Sequence, residues 1–179
     1  MAQIAVKGPG GAAPLAPGAV AEGAHIDGMH AADNNVAVGT LGTFTLLVGV
    51  ALTDAFAPNR GNFGVIPGSH AALSRAVDRV GAERAIATLT DRDGGGPTER
   101  LDRLLPLAAL APHAQVVAAR GAAVLAHYQT VHFSAPNVSE AEPRVMVYFR
   151  VTRPGARPTV AAGLSRSGLL AELPGLSKL

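Results

Sequence analysis

The chain has 179 residues, of which 48% are hydrophobic, and a formal net charge of +2. A chain of this size can build one compact domain with its own core, so we expect a single domain over 1–179. The basic residues are scattered, which argues against a nucleic-acid partner. With no cysteine, disulfides and thiolate metal sites are excluded, and His, Asp and Glu remain as metal-ligating side chains. We expect a cytoplasmic protein, and its oligomeric state stays open.

The N-terminus lacks the basic start and uninterrupted apolar stretch of a signal peptide, so we expect no export. Residues 8–24 are rich in Gly, Pro and Ala, and we predict an irregular lead-in over 1–24. The charge-free run 36–53 has the length of a membrane span, but it carries four Thr and three Gly. Its β-branched residues favour buried strands, so we expect no membrane partner.

Short apolar and β-branched runs between turn residues predict several strands. These runs lie at 36–54, 62–66, 115–118, 122–127 and 144–152. Many short strands with few helices indicate a mainly β fold, either a barrel or a sandwich, with its core at about 25–152.

Helical periodicity is limited to one segment of this core. Apolar residues spaced at three to four positions predict one helix from about Ala71 toward Leu89, with Ser69 as its N-cap. The sequence DRDGGGP at 91–97 predicts a loop. The C-terminal extension 154–179 is interrupted by Pro and Gly, with a short helix expected near 167–173.

The first element with clear chemistry is His25-Ile26-Asp27-Gly28. In an extended segment, residues i and i+2 point to the same face, so His25 and Asp27 can bind one ion together. A non-haem iron site needs two imidazoles and one carboxylate on one face of the metal, with the other positions left open. A second histidine must therefore come from elsewhere in the chain.

His132 is the best candidate for that second histidine. It lies 107 residues after His25, next to a predicted strand, and Arg144 follows it by 12 residues at the start of another strand. A buried arginine can pair bidentately with a carboxylate. His127 is a rival ligand, but its odd spacing from His132 would place the two on opposite faces of a continuous strand.

Three sequence blocks resemble the phytanoyl-CoA dioxygenase family of iron(II) and 2-oxoglutarate oxygenases. The blocks are HIDG at 25–28, NRGNFGVIPGSH at 59–70, and HFSAPNVS at 132–139 followed by Arg144. An HxD pair is common by chance, but the three blocks in this order are fairly specific. They cover residues 25 to about 152, which is most of the chain.

This resemblance implies a double-stranded β-helix, also called a jelly roll or cupin-like barrel, with one or two flanking helices. It implies that His25, Asp27 and His132 are the catalytic iron ligands and that Arg144 and Ser134 bind the distal carboxylate of 2-oxoglutarate. The implied cofactors are Fe(II) and 2-oxoglutarate as co-substrate. The implied partners are dioxygen and a small-molecule substrate.

The chain also departs from the family pattern. The first block begins at residue 25, where family members usually carry a substantial N-terminal region, so we expect a minimal or truncated member. There is no Trp, so an aromatic wall of the cofactor pocket must come from Tyr128, Tyr148 or phenylalanines. Arg150 or Arg153 could take the role of Arg144, but neither has its spacing.

The predicted function is an iron(II)- and 2-oxoglutarate-dependent oxygenase that hydroxylates a small organic substrate and releases succinate and CO2. A carboxylate at Asp27 leaves no open position for chloride, which favours hydroxylation over halogenation. The alternative is a cupin-like metal or small-molecule binding protein, truncated and without turnover. A third interpretation is a metal-dependent isomerase or hydrolase on the same barrel, which would not need an arginine anchor.

Overall fold

The computed structural model describes residues 2–11, 13–29, 36, 39–42 and 44–152. In chain order the elements within these ranges are β1 (Ala2–Lys7), β2 (Leu46–Ala51), β3 (Phe63–Val65), α1 (Ser69–Val80), α2 (Ala82–Thr90), α3 (Pro97–Leu104), a 3-10 turn at Leu107–Ala109, β4 (Ala114–Val116), β5 (Ala123–His127), β6 (His132–Ser134) and β7 (Arg144–Val151).

The strands form two antiparallel sheets. Sheet A has the order β1-β7-β2-β5, and sheet B has the order β4-β3-β6. At the free edge of β6, the backbone of His25 pairs with His132 and so extends sheet B by one short bridge. The pairing order brings elements together that are far apart in the sequence, such as β1 and β7.

Sheet A has one buried face and one largely uncovered face. On β2, Leu47 and Ala51 are buried and alternate with partly exposed residues. Gly49 lies between them, opposite Tyr148 on β7. A Cβ at Gly49 would lie 2.8 Å from Cε1 of Tyr148, so the missing side chain makes room for the ring. The inner face of sheet A thus carries the ring of Tyr148 over the backbone of β2.

The core consists of two clusters on opposite faces of sheet B. The smaller cluster lies between the sheets and contains Phe44, Leu47, Phe63, Tyr128 and Met146. The larger cluster joins sheet B to the helices; its fully buried side chains include Ile26, Leu73, Leu89, Leu101 and Val131. Each such side chain stabilises the fold by about 1.5–3 kcal/mol. Sheet B is therefore the middle layer, between sheet A and the helices.

Most of the predicted strands are confirmed. The runs at 62–66, 115–118, 122–127 and 144–152 correspond to β3, β4, β5 and β7, with ends that differ by up to two residues. Of the run 36–54, the strand β2 occupies 46–51, and residues 37, 38 and 43 lie outside the described residues.

The helical prediction is correct in place and wrong in detail. The described ranges contain three α-helices where one or two were expected, because Gly81 with φ +86 ends α1 and separates it from α2. The third helix, α3, directly follows the predicted loop, with Pro97 in its first turn. Ser69 is not the N-cap, since Gly68 occupies that position and the Ser69 hydroxyl accepts a hydrogen bond from the backbone N–H of Val131.

The prediction of an irregular lead-in over 1–24 is wrong for residues 2–7, which form β1. This strand pairs along its whole length with β7. Arg153, the extension 154–179 and its expected short helix lie outside the described residues, and the single-domain organisation stays a prediction. The longest described helix has 12 residues, and none of the described helices is long and apolar enough to cross a membrane.

Candidate metal centre and co-substrate pocket

His25 and His132 are direct neighbours across an antiparallel bridge. The N–H of His25 donates to the carbonyl of His132 at 3.0 Å, and the N–H of His132 donates to the carbonyl of His25 at 2.9 Å. Residues opposite each other in such a pair project to the same side of a sheet. The two ring centres are accordingly 4.5 Å apart. One pair of backbone hydrogen bonds thus unites two histidines that are 107 residues apart in sequence.

Both imidazoles are oriented by their own backbone. Nδ1 of His25 lies 2.8 Å from the carbonyl of Gly23, and Nδ1 of His132 lies 2.9 Å from the carbonyl of Thr130. A carbonyl can only accept, so Nδ1 is the donor in each ring and Nε2 is the nitrogen left to meet a metal ion. Histidines that bind metals are typically held in this way by an outer partner.

Asp27 completes the group. One ligand atom each from His25, Asp27 and His132 lies within 4.8 Å of the other two, and this is the one such set of three among the described residues. Asp27 is 6% exposed. The next residue, Gly28, has φ +87, and a Cβ there would lie 1.7 Å from the carbonyl oxygen of Gly42. Only glycine fits at this turn, so Gly28 sets the chain direction immediately after Asp27.

The electrostatics of His132 suit a metal ligand. Burial is the main cause that lowers the pKa of His132 below its ordinary value of 6.5, and the neighbouring His25 lowers it further, while Asp27 acts in the opposite direction. The ring is therefore neutral at neutral pH. A neutral imidazole is the form that binds a metal ion.

Arg144 lies at another part of the same inner surface. It is 4% exposed, and its Nη2 donates to the hydroxyl of Ser134 at 2.6 Å. Nε donates to the carbonyl of Gly61, and Nη1 donates to the carbonyl of Ala5 at 3.3 Å. No carboxylate pairs with this guanidinium among the described residues, and burial lowers its pKa. A buried cation without a counter-ion is a fitting partner for an anionic ligand.

The second sequence block holds Arg144 in place. Gly61, with φ +74, supplies the carbonyl for Nε, and a Cβ there would lie 3.0 Å from Cβ of Arg144. The buried side chain of Asn62 accepts from the N–H of Arg60 and donates to the carbonyl of Val116 at 3.1 Å. The start of the block therefore builds the turn beside Arg144, and its strand β3 continues alongside β6, where Val65 lies opposite His132.

The triad, Arg144 and Ser134 open into one cavity of about 310 Å³ between the two sheets. Its aromatic wall is formed by Phe63, whose ring centre lies 5.1 Å from that of His132, and by Tyr148, 5.9 Å from Phe63. Tyr128, the other tyrosine considered from the sequence, lies outside this lining and packs against Phe44.

Arg150 is a site residue that the sequence prediction set aside. Its Nη2 donates to Oδ1 of Asp27 at 2.8 Å, and it lines the same cavity. The signal was present in the predicted strand 144–152, because Arg150 and Arg144 are separated by an even number of residues and so share one face. Spacing to His132 alone does not reveal it.

The rival and unassigned histidines lie elsewhere. His127 is on β5, in the other sheet from His132, and its ring centre is 6.1 Å from that of His70. His113 packs edge-on against Phe133. His30 lies outside the described residues.

The side chains present fit both implied cofactors. Two imidazoles and one carboxylate, with ligand atoms close together, are the facial set of non-haem Fe(II). The buried, uncompensated Arg144 with the hydroxyl of Ser134 fits a carboxylate such as the one that 2-oxoglutarate carries.

Comparison with known proteins agrees with this site. The family model described as phytanoyl-CoA dioxygenase matches residues 15–146, and the chain belongs to that family. No curated protein matches the chain.

Among solved structures, the chain is similar to the non-heme alpha ketoglutarate dependent carbocyclase SnoK from nogalamycin biosynthesis. The TM-score is 0.51 at 22% identity, over 82% of this chain and 46% of SnoK. AviO1 from Streptomyces viridochromogenes Tue57 gives 0.47 at 22% identity, over 88% of this chain and 51% of AviO1. The chain thus spans about half the length of these proteins. The predicted mainly β, jelly-roll fold class is confirmed.

Proposed function

We propose that this protein is an iron(II)- and 2-oxoglutarate-dependent oxygenase that hydroxylates a small organic substrate and releases succinate and CO2. The observation that carries the proposal is that the ligand atoms of His25, Asp27 and His132 converge on one cavity. Arg144 lines the same cavity and has no carboxylate partner among the described residues. Family membership supports the same activity.

In this proposal, His25 and His132 bind the metal through Nε2 and Asp27 binds it through one carboxylate oxygen. Arg144 and Ser134 hold the distal carboxylate of the co-substrate. When bound, Fe(II) and 2-oxoglutarate supply the oxidising chemistry with dioxygen, and 2-oxoglutarate leaves as succinate and CO2. The protein residues contribute position and charge.

Apolar and aromatic side chains form part of the cavity wall. Phe63 and Leu47 are buried there, and the ring of Tyr148 lies over Gly49. Because Arg144 is buried, its guanidinium attracts an incoming carboxylate more strongly than an exposed arginine would. Asp27 fills the third protein position of the facial set, which favours hydroxylation over halogenation.

The experiment that tests this proposal is succinate formation from 2-oxoglutarate with Fe(II) and dioxygen. We expect succinate from the wild type, and a large loss in His132→Ala and Arg144→Ala. Equal rates in all three proteins would contradict the site assignment. Metal binding without succinate formation would instead support the cupin-like binding protein. Metal-dependent turnover of a substrate at a rate that does not depend on 2-oxoglutarate would support an isomerase or hydrolase. A cytoplasmic location stays a prediction.

A further inference from the structure

Arg150 joins three separate segments of the chain at one guanidinium group. Nη2 donates to Asp27 at 2.8 Å, and both Nη1 and Nη2 lie 3.3 Å from Oε1 of Gln3 on β1. The guanidinium carbon lies 5.9 Å from the centre of the Phe44 ring. A planar group with contacts in plane and across its face has few orientations available.

The ion pair between Arg150 and Asp27 is shielded from solvent. The Asp27 side chain is 8% exposed and that of Arg150 is 29% exposed, whereas the pair between Arg103 and Asp91 has exposures of 52% and 39%. Exposed pairs contribute little, because water and salt screen them. The pair in the cavity is screened less, so it can determine how the carboxylate is oriented.

We propose that Arg150 is a positioning residue for the metal ligand Asp27. It holds one carboxylate oxygen and leaves the carboxylate in the orientation that keeps a ligand atom within 4.8 Å of both imidazoles. Asp27 has two oxygens, so it can keep Arg150 and bind a metal at the same time. This inference rests on the proposed function only in requiring a metal at the triad.

The test is the dissociation constant for Co(II), together with its d–d absorption spectrum, in the absence of 2-oxoglutarate. Arg150→Met keeps an apolar stem against Phe44 but removes the charge and the donors. We expect it to weaken Co(II) binding by about 10- to 100-fold, the usual effect of losing an outer partner of a metal ligand. The matched control is Arg103→Met, which removes an exposed ion pair elsewhere and leaves the affinity unchanged.

Arg150→Lys provides the conservative rescue. Lysine restores the charge as a single point without the planar fork. We expect partial recovery of affinity, with a d–d spectrum that differs from that of the wild type. Wild-type affinity in a folded Arg150→Met protein would overturn the proposal. If Arg150→Met does not fold, Arg150→Lys decides: an affinity and spectrum identical to wild type would overturn it, and an altered spectrum would support it.

These measurements separate the two proposals. A protein that binds Co(II) at the triad with the expected dependence on Arg150, but makes no succinate, would contradict the oxygenase and support the positioning role. A wild-type protein that does not bind Co(II) would overturn both.

Discussion

The described part of the chain contains two pairs of neighbouring histidines, and within it one pair has the surroundings of a metal site. His25 and His132 have ring centres 4.5 Å apart, and those of His70 and His127 are 6.1 Å apart. In both pairs burial lowers a pKa: that of His132 falls below 6.5 and that of His127 falls to about 4. A depressed pKa therefore does not distinguish a ligand from a structural histidine.

The difference lies in what surrounds each pair. Asp27 joins the first pair, and among the described residues no third ligand joins the second. The first pair also opens into the cavity that holds Arg144. A metal site needs a converging carboxylate and room for exogenous ligands, as well as neutral imidazoles. Substitutions in the two pairs should therefore have different effects.

Replacing one histidine of each pair by alanine should distinguish the metal site from the structural pair most clearly. We expect His132→Ala to lower metal affinity by more than about 100-fold, since even outer partners of ligands contribute about 10- to 100-fold. His127→Ala should leave the affinity unchanged. Titration with Co(II) measures both, and comparable losses in the two variants would show that the site has been misassigned.

Arg144 should act on the co-substrate and not on the metal. We expect Arg144→Lys to raise the KM for 2-oxoglutarate by roughly tenfold or more, because lysine keeps the charge but lacks the planar fork, and losing one hydrogen bond to a charged group costs about 1.5 kcal/mol or more, where 1.4 kcal/mol is tenfold. Co(II) affinity should remain near wild type. We expect Ser134→Ala to raise the KM for 2-oxoglutarate by a smaller factor. An unchanged KM in Arg144→Lys would refute the anchor.

Gly28 should be needed to keep Asp27 close to the first pair, His25 and His132. Gly28→Ala places a Cβ 1.7 Å from a backbone oxygen at φ +87, so we expect a loss of at least about 1–3 kcal/mol in unfolding free energy and weaker metal binding. Gly18→Ala is the control, because Gly18 has φ +77 and open space around it. Equal thermal destabilisation by the two variants would show that backbone conformation alone, and not the contact, matters.

The second pair, His70 and His127, should affect the pH dependence of stability and not metal binding. The folded pKa of His127 is about 4, below the unfolded value of 6.5, so the unfolded chain binds more protons between these pH values. The free energy of unfolding should therefore fall as the pH drops from 6.5 toward 4. The slope for one group is at most about 1.4 kcal/mol per pH unit, and less for a partly exposed ring. We expect His127→Gln to flatten this slope in metal-free protein; an identical pH profile would contradict it.

Much of the site could be predicted because its parts depend on local rules. Strand alternation places His25 and Asp27 on one face. The same rule, applied to the predicted strand 144–152, places Arg150 on the same face as Arg144. The left-handed turn at Gly28 follows from an Asp-Gly dipeptide. The single long helix was wrong because Gly81, with φ +86, ends α1, and a glycine at this position is itself a local stop signal that the apolar spacing alone does not reveal.

The sequence by itself determined the ligand types, the strand-rich fold and the order of the motif blocks. These follow from residue chemistry and from periodicities that act over a few positions. Only the tertiary structure decided that His132 lies opposite His25 and that β1 joins sheet A. It also decided that Arg150 pairs with Asp27. The physical reason is that backbone hydrogen bonds between strands do not depend on side-chain identity, so long-range register is selected by packing of the whole core.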